Sequence, residues 1–246
     1  MNMHNVLNEF KRQYLGEDLV ITSLADALQL HEKFIKIRMA LMLKCGFDIM
    51  PHYRGEQQFG WDIEPGIFRN RNDLDGQTAK KLEQEAIKLF EKKMTGRYGE
   101  KTLKTFFNNR IYGREWGLLF QAQHAGIKTT LTDWTAAILI ALYFATELHQ
   151  EDNDGQLWCL LLPTQNLLIQ ESQNDPRSLF NINPFDVKRI HLINPTISLD
   201  GIDNRIFEKR MSNQGGRFLT LPSKICNIPI NKYIEVKEYI IRITIP

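Results

Sequence analysis

The run Gln123–Glu147, QHAGIKTTLTDWTAAILIALYFATE, constrains the fold more than any other part of the chain. Its front is polar and turn-forming, and from Trp134 it becomes an almost unbroken apolar stretch. A helix that is apolar nearly all round cannot face water, so Thr135 to about His149 is expected to lie against a sheet in the middle of a core. Ahead of it, Ile127, Thr129 and Leu131 alternate as a short strand would, and Thr132 or Asp133 can cap the helix. Gln123, His124 and Asp133 are costly to bury unpaired, so they either bond one another or face a ligand. The plainer alternative is a simple cap at Thr132 or Asp133 with Trp134 as core.

The remaining segments supply partners for that helix. Thr22 or Ser23 is placed to cap a helix through about Cys45, and Gly46 to stop it. In FDIMPHYRG, Phe47 and Ile49 alternate as in a strand, and Pro51 marks that strand as an edge or as ending on reaching His52, Tyr53 and Arg54. A second helix is expected from about Gln77 to Met94, with Leu82, Ala86, Leu89, Phe90 and Met94 inside and its lysines and glutamates outside. A short helix from Glu115 to Gln123 leads into the opening run. QLWCLLL reads as a buried strand, and RFLTLP and YIEVKEYIIRITIP as further strands. Helices and strands do not alternate regularly, which favours an α+β domain over a doubly wound sheet.

Composition narrows the function. No Pro/Gly/Ser-rich linker divides the 246 residues, so a single domain is expected, with residues 1–46 as a helical part and 47–246 as the sheet-containing core. A net charge of +2, from 31 basic and 29 acidic residues, gives no global field for nucleic acid. The three cysteines, Cys45, Cys159 and Cys226, are isolated, which points to a reducing cytoplasm. No signal-peptide pattern opens the chain and no apolar run is long enough to span a bilayer, so no membrane association is expected. No His/Cys/Asp/Glu set has metal-ligand spacing, and phosphate-loop, dinucleotide-glycine and serine-elbow patterns are lacking.

Three motifs carry candidate chemistry. In His52-Tyr53-Arg54-Gly55 an arginine at a strand end offers a bidentate fork for phosphate or carboxylate, and the glycine lets a ligand approach the backbone. The alternative is a strand end with a surface arginine. Gln123-His124 with Thr132-Asp133-Trp134-Thr135 gathers an imidazole, a carboxylate, an indole and hydroxyls at the start of the apolar helix, on which Tyr143 and Phe144 read as core. Gln214, in Met211-Ser212-Asn213-Gln214-Gly215-Gly216-Arg217-Phe218, presents a side-chain amide in a turn before a strand, suited to a sugar hydroxyl.

These residues resemble the FRG domain family, named for its Phe/Tyr-Arg-Gly motif. The likeness runs in order through Tyr53-Arg54-Gly55, Phe68-Arg69, Gln123 to Thr129, Leu131 to Thr135, Ala141-Leu142-Tyr143-Phe144-Ala145, Gly155-Gln156-Leu157-Trp158 and Gln214 to Phe218. The family's usual block reads Arg-Leu-Leu-Asp-Trp, whereas this chain has Thr130-Leu131-Thr132-Asp133-Trp134 and so lacks one positive charge. A more distant likeness is to ADP-ribosyltransferases, which implies a central split sheet with flanking helices and NAD as substrate, without a metal. On that resemblance His52, Tyr53, Arg54 and Gly55 would hold NAD together with Gln123, Thr132, Trp134, Thr135 and Tyr143. Gln214 would stand where the superfamily usually has a catalytic Glu. A Gln amide can hold a ribose hydroxyl but cannot neutralise charge, so Asp133 is expected as electrostatic partner and His124 as proton acceptor. The implied partner is a macromolecular acceptor, with protein, RNA and DNA all open. The setting would be a toxin or defence effector, with a neutralising antitoxin as a second partner. A non-catalytic module binding a nucleotide or nucleic-acid end is the alternative, and an interaction protein the third reading.

Overall fold

The computed structural model describes residues 3–71, 73–103, 113–147, 153–163, 167–168, 182–193 and 216–246. In chain order its helices and strands are α1 (Met3–Tyr14), α2 (Leu24–Cys45), β1 (His52–Glu56), α3 (Gly76–Tyr98), α4 (Gly113–His124), β2 (Thr132–Thr135), α5 (Ile138–Thr146), β3 (Gly155–Leu160), β4 (Leu167–Leu168), β5 (His191–Ile193), β6 (Gly216–Thr220) and β7 (Ile240–Ile245). Helix and sheet are mixed. The chain divides into two compact units, Met1–Asp62 with Trp134–Asn166 and Asn231–Pro246, and Ile63–Asp133 with Leu167–Ile230. The division runs through β2. Among the described residues no helix is long and apolar enough to cross a membrane.

In the first unit β2, β1, β3 and β7 follow one another in antiparallel order. β1 begins directly after Pro51 and is flanked on both sides, so the expectation of a strand that is an edge or is ending on reaching His52, Tyr53 and Arg54 is corrected. Proline has no N–H to give a ladder, and pairing therefore starts at the next residue. Successive residues of a strand face opposite sides, so Tyr53 and Gly55 share one face with Leu157, Cys159 and Ile243, and this face carries the core. Helix α2 packs there through Ala27, Leu30, Phe34, Ile37 and Leu41. Its ends are those expected from sequence: the Ser23 side chain accepts from Asp26 N at 3.2 Å, and Gly46 turns left-handed at φ 71°.

Helix α5 lies on the same face, although shorter and more one-sided than its composition suggests. Ile138, Ala141, Leu142 and Ala145 are buried, while Leu139 and Tyr143 are exposed. A helix on one side of a sheet has a single neighbouring layer, so its outer face remains in water however apolar it is. The expected cap at Thr132 or Asp133 is also corrected. Both residues belong to strand β2, the preceding 127–131 stretch is not a strand, and the Thr135 hydroxyl accepts from Ala137 N at 3.1 Å just before α5.

In the second unit β4 pairs parallel to β5, and β5 antiparallel to β6. Its core gathers Ile87, Met94, Trp116, Leu119, Phe120, Leu131 and Phe218, with the Phe120 and Phe218 rings stacked at 4.8 Å between centroids. Helix α3 is rotated relative to the sequence expectation. Leu82 and Leu89 are exposed, and the buried stripe is Ala79, Lys80, Glu83, Ile87 and Met94. Two of the charged residues expected outside are therefore inside, held by the bonds described next.

Candidate functional site

The motif residues fall into two constellations, one in each unit. In the first unit the face of the sheet opposite α5 carries His52, Arg54 and Glu56 on β1 and, by register, Leu160, Trp158 and Gln156 across from them on β3. Trp134 joins this face, because its neighbour Thr135 is paired with Tyr53 on the other. Arg54 Nε donates to Glu56 Oε1 at 2.7 Å, and the two side chains are only 11% and 7% exposed. The motif arginine thus sits in mid-strand, paired with a carboxylate two residues on. Beside it, Trp158 is 6% exposed and its Nε1–H has no acceptor among the described residues. Arg242 on β7 lies across from Trp158, with its guanidinium over the Phe59 ring at 4.5 Å.

Gln156 ties a loop beside this face. Its Oε1 accepts from Gly60 N at 3.0 Å and its Nε2 donates to Trp61 O at 2.6 Å, which leaves Phe59 and Trp61 partly exposed. His52 is buried, and its Nδ1 donates to Met50 O at 2.8 Å; a carbonyl can only accept, so in the neutral ring Nε2 is the acceptor. Tyr53 and Gly55 serve the opposite face. Tyr53 is wholly buried with its hydroxyl 2.6 Å from His31 Nδ1, and burial pushes its phenol far above the ordinary range. At Gly55 an added Cβ would stand 1.9 Å from Ala141 O and 2.7 Å from Ala145 N, so the close neighbour this glycine admits is the backbone of α5. Tyr143, on the exposed side of α5, donates to Glu147 Oε1 at 2.7 Å.

In the second unit Gln123 and His124 form the last turn of α4, and Gly126 at φ 87° reverses the chain, a conformation that favours glycine. The reversal returns residues 127–133 alongside Gln123 and builds a directional relay. Leu131 N donates to Thr129 Oγ1 at 3.1 Å, the Thr129 hydroxyl donates to Gln123 Oε1, and Gln123 Nε2 donates to Asp133 Oδ2 at 3.0 Å. The relay fixes which way the Gln123 amide points and ends on an exposed carboxylate, with His124 also exposed. Thr132 is buried. Gln214 lies outside the described residues.

Two residues that the sequence reading placed on a solvated face anchor this relay from behind. Glu83 Oε1 accepts from Thr130 N at 2.5 Å and from Thr130 Oγ1 at 2.9 Å, while Lys80 Nζ donates to Thr130 Oγ1, to Pro184 O at 3.2 Å and to Glu83 Oε2 at 3.3 Å. A buried pair of this kind stands only when its remaining donors and acceptors are bonded, as these are. Thr130 is the position where the family pattern carries Arg, and Lys80 supplies a cation within hydrogen-bond reach of it. The clue available in the sequence was the second periodic stripe through Ala79, Glu83, Ile87 and Met94. Glu56 was likewise legible as the same-side neighbour of Arg54 once β1 is read as continuing past the motif. Among the described residues no group of three or more His, Cys, Asp and Glu is placed to hold a metal ion.

No curated protein and no solved structure matches the chain. Most residues of both constellations lie in the stretch 51–154, and that stretch matches the family model of the FRG domain, so the chain carries an FRG domain over residues 51–154.

Proposed function

We propose that this chain is an NAD-dependent ADP-ribosyltransferase with an ADP-ribosyltransferase-like fold, acting on a macromolecular acceptor, protein or nucleic acid, as a toxin or defence effector. The observation that carries this reading is the pairing of Arg54 with Glu56 on a nearly buried sheet face, beside an indole N–H that has no acceptor among the described residues. That donor set suits an anionic nucleotide. A guanidinium takes a pyrophosphate by charge-assisted bonds, an indole N–H takes a further oxygen, and aromatic faces stack on a planar base. Cleavage of the bond to nicotinamide builds positive charge on the ribose, which Gln214 cannot neutralise. Glu56 can. On this reading the ion pair is the resting arrangement: phosphate oxygens replace Glu56 on Arg54, and the freed carboxylate turns to the ribose.

The second reading, a non-catalytic nucleotide-binding module, is favoured by the same ion pair, which leaves Arg54 satisfied without a substrate. Nicotinamide release from NAD by purified protein, with RNA, DNA and protein offered in turn as acceptors, separates the two. The transferase reading expects release, a fall of about 10²–10³ in rate for Glu56→Gln with NAD binding retained, and a rise or no loss for Gln214→Glu. Arg54→Ala is expected to weaken NAD binding by about 1.5–3 kcal/mol. Binding without release supports the module, and NAD binding unchanged in Arg54→Ala removes this face from both readings.

A further inference from the structure

Helix α2 carries two apolar stripes, and only one faces the core. Ala27, Leu30, Phe34, Ile37 and Leu41, spaced by three and four, are buried. About a third of a turn away runs a second series, Leu24, Leu28, His31, Ile35, Met39 and Met42, also spaced by three and four. Leu24 is 65% exposed, Leu28 53%, Met39 57% and Met42 48%, with His31 and Ile35 half-buried between them. A surface helix needs one stripe to dock on its own protein. A second stripe at coiled-coil spacing, along 22 residues or about 33 Å of helix, matches the footprint of another helix.

We propose that this outer face of α2 is where a second copy of the chain docks, its α2 antiparallel to the first about a two-fold axis near the helix centre. The stripe reads almost the same in both directions. Reversal sets Leu24 across from Met42 of the second copy, Leu28 across from Met39, and His31 across from Ile35. A contact between identical surfaces requires such self-complementarity, whereas a foreign helix does not. Charge on the border of the stripe selects the same orientation. Glu32 and Lys36, exposed and 2.8 Å apart within one helix, flank it near the centre. An antiparallel two-fold keeps this border of both copies on one side of the contact, so each Lys36 comes near the other copy's Glu32, whereas a parallel two-fold sets the two borders on opposite sides and leaves these charges without each other. Methionines at two of the exposed positions suit a face that adapts on contact.

Sedimentation equilibrium of the full chain over a concentration series tests this. The expected result is a monomer–dimer equilibrium, weakened about tenfold or more by Leu28→Glu and by Met39→Glu, because each buries an unpaired charge in the contact. Both sites are exposed in the single chain, so far-UV circular dichroism should not change. Glu32→Lys and Lys36→Glu should each weaken self-association, and an equimolar mixture of the two variants should restore it, since each then meets its opposite charge. A purely structural effect of either substitution would not be repaired by mixing. A wild-type chain that stays monomeric at every concentration overturns the proposal. So does a dimer indifferent to both apolar-to-Glu substitutions, a mixture no tighter than its components, or α2 occupied by a different polypeptide.

Discussion

Replacing Lys80 by Met removes the cation from a buried pair while keeping most of the stem around which neighbours pack. The Lys80 and Glu83 side chains are 4% and 0% exposed, and Lys80 Nζ serves Glu83, Thr130 and Pro184 at once. In Lys80→Met the Glu83 carboxylate stays buried with only the Thr130 N–H and hydroxyl as donors. Breaking one side of such a pair costs about 3–5 kcal/mol, most of it the uncompensated charge rather than the lost contact. The lost bond to the Pro184 carbonyl is part of that figure and is not added to it. Adding Glu83→Gln withdraws the charge yet leaves an oxygen for Thr130, so the double variant should recover all but about 1 kcal/mol. The assay is native-state hydrogen exchange at the Thr130 amide, which donates to Glu83 at 2.5 Å. Protection should fall by the single-variant cost and return in the double. A loss under about 1 kcal/mol in Lys80→Met, or a double variant no better than the single, would refute the reasoning that charge rather than packing makes this site costly.

Three further outcomes are expected. Gly55→Ala should lower stability by about 1–3 kcal/mol or more, because its Cβ would meet the Ala141 carbonyl oxygen at 1.9 Å and α5 must lift from β1; urea unfolding measures it, and a neutral result contradicts the close approach. Burial, with Arg189 adding repulsion, pushes His191 down to about 4 from its ordinary 6.5. A depressed value means that the unfolded chain binds the proton first, so the stability His191 contributes is complete above pH 6.5 and is lost as pH falls towards 4; His191→Gln should lack that segment in a wild-type-minus-variant profile. Burial also raises the thiols of Cys159 and, to about 11, Cys226, whereas Cys45 is only half-buried. A disulfide reagent should titrate Cys45 first in the native protein and all three cysteines after denaturation, and fast reaction at Cys226 would show that its enclosure is wrong.

Much of the local structure is legible in the sequence itself. Ser23 and Gly46 bound α2 as a cap and a left-handed stop because both signals act within one turn of the helix end. Strand β3, GQLWCL, is buried at every position, as the apolar run suggested. The order of the motifs was enough to identify the FRG domain that residues 51–154 match.

What the sequence did not disclose depends on groups brought together from far along the chain. Lys80 and Glu83 lie 50 and 47 residues from Thr130, and the second periodic stripe of α3 does not name the amide and hydroxyl that its charged residues turn inward to bond. The pattern of α3 holds one apolar stripe through Leu82, Ala86 and Leu89 and a mixed one through Ala79, Glu83 and Ile87, and the partners, not the periodicity, selected the second. The role of Gly55 was decided in the same way, by the α5 backbone arriving over β1. Arg54 shows the division within a single residue. Its presence beside Gly55 is written in the sequence, but its pairing with Glu56 and its place beside Trp158 follow from strand alternation and register. Caps, turns and apolar periods are local free-energy preferences that any isolated segment expresses. Burial and the pairing of charges depend on the whole surroundings, so they become defined only when the sheet and helices have closed around them.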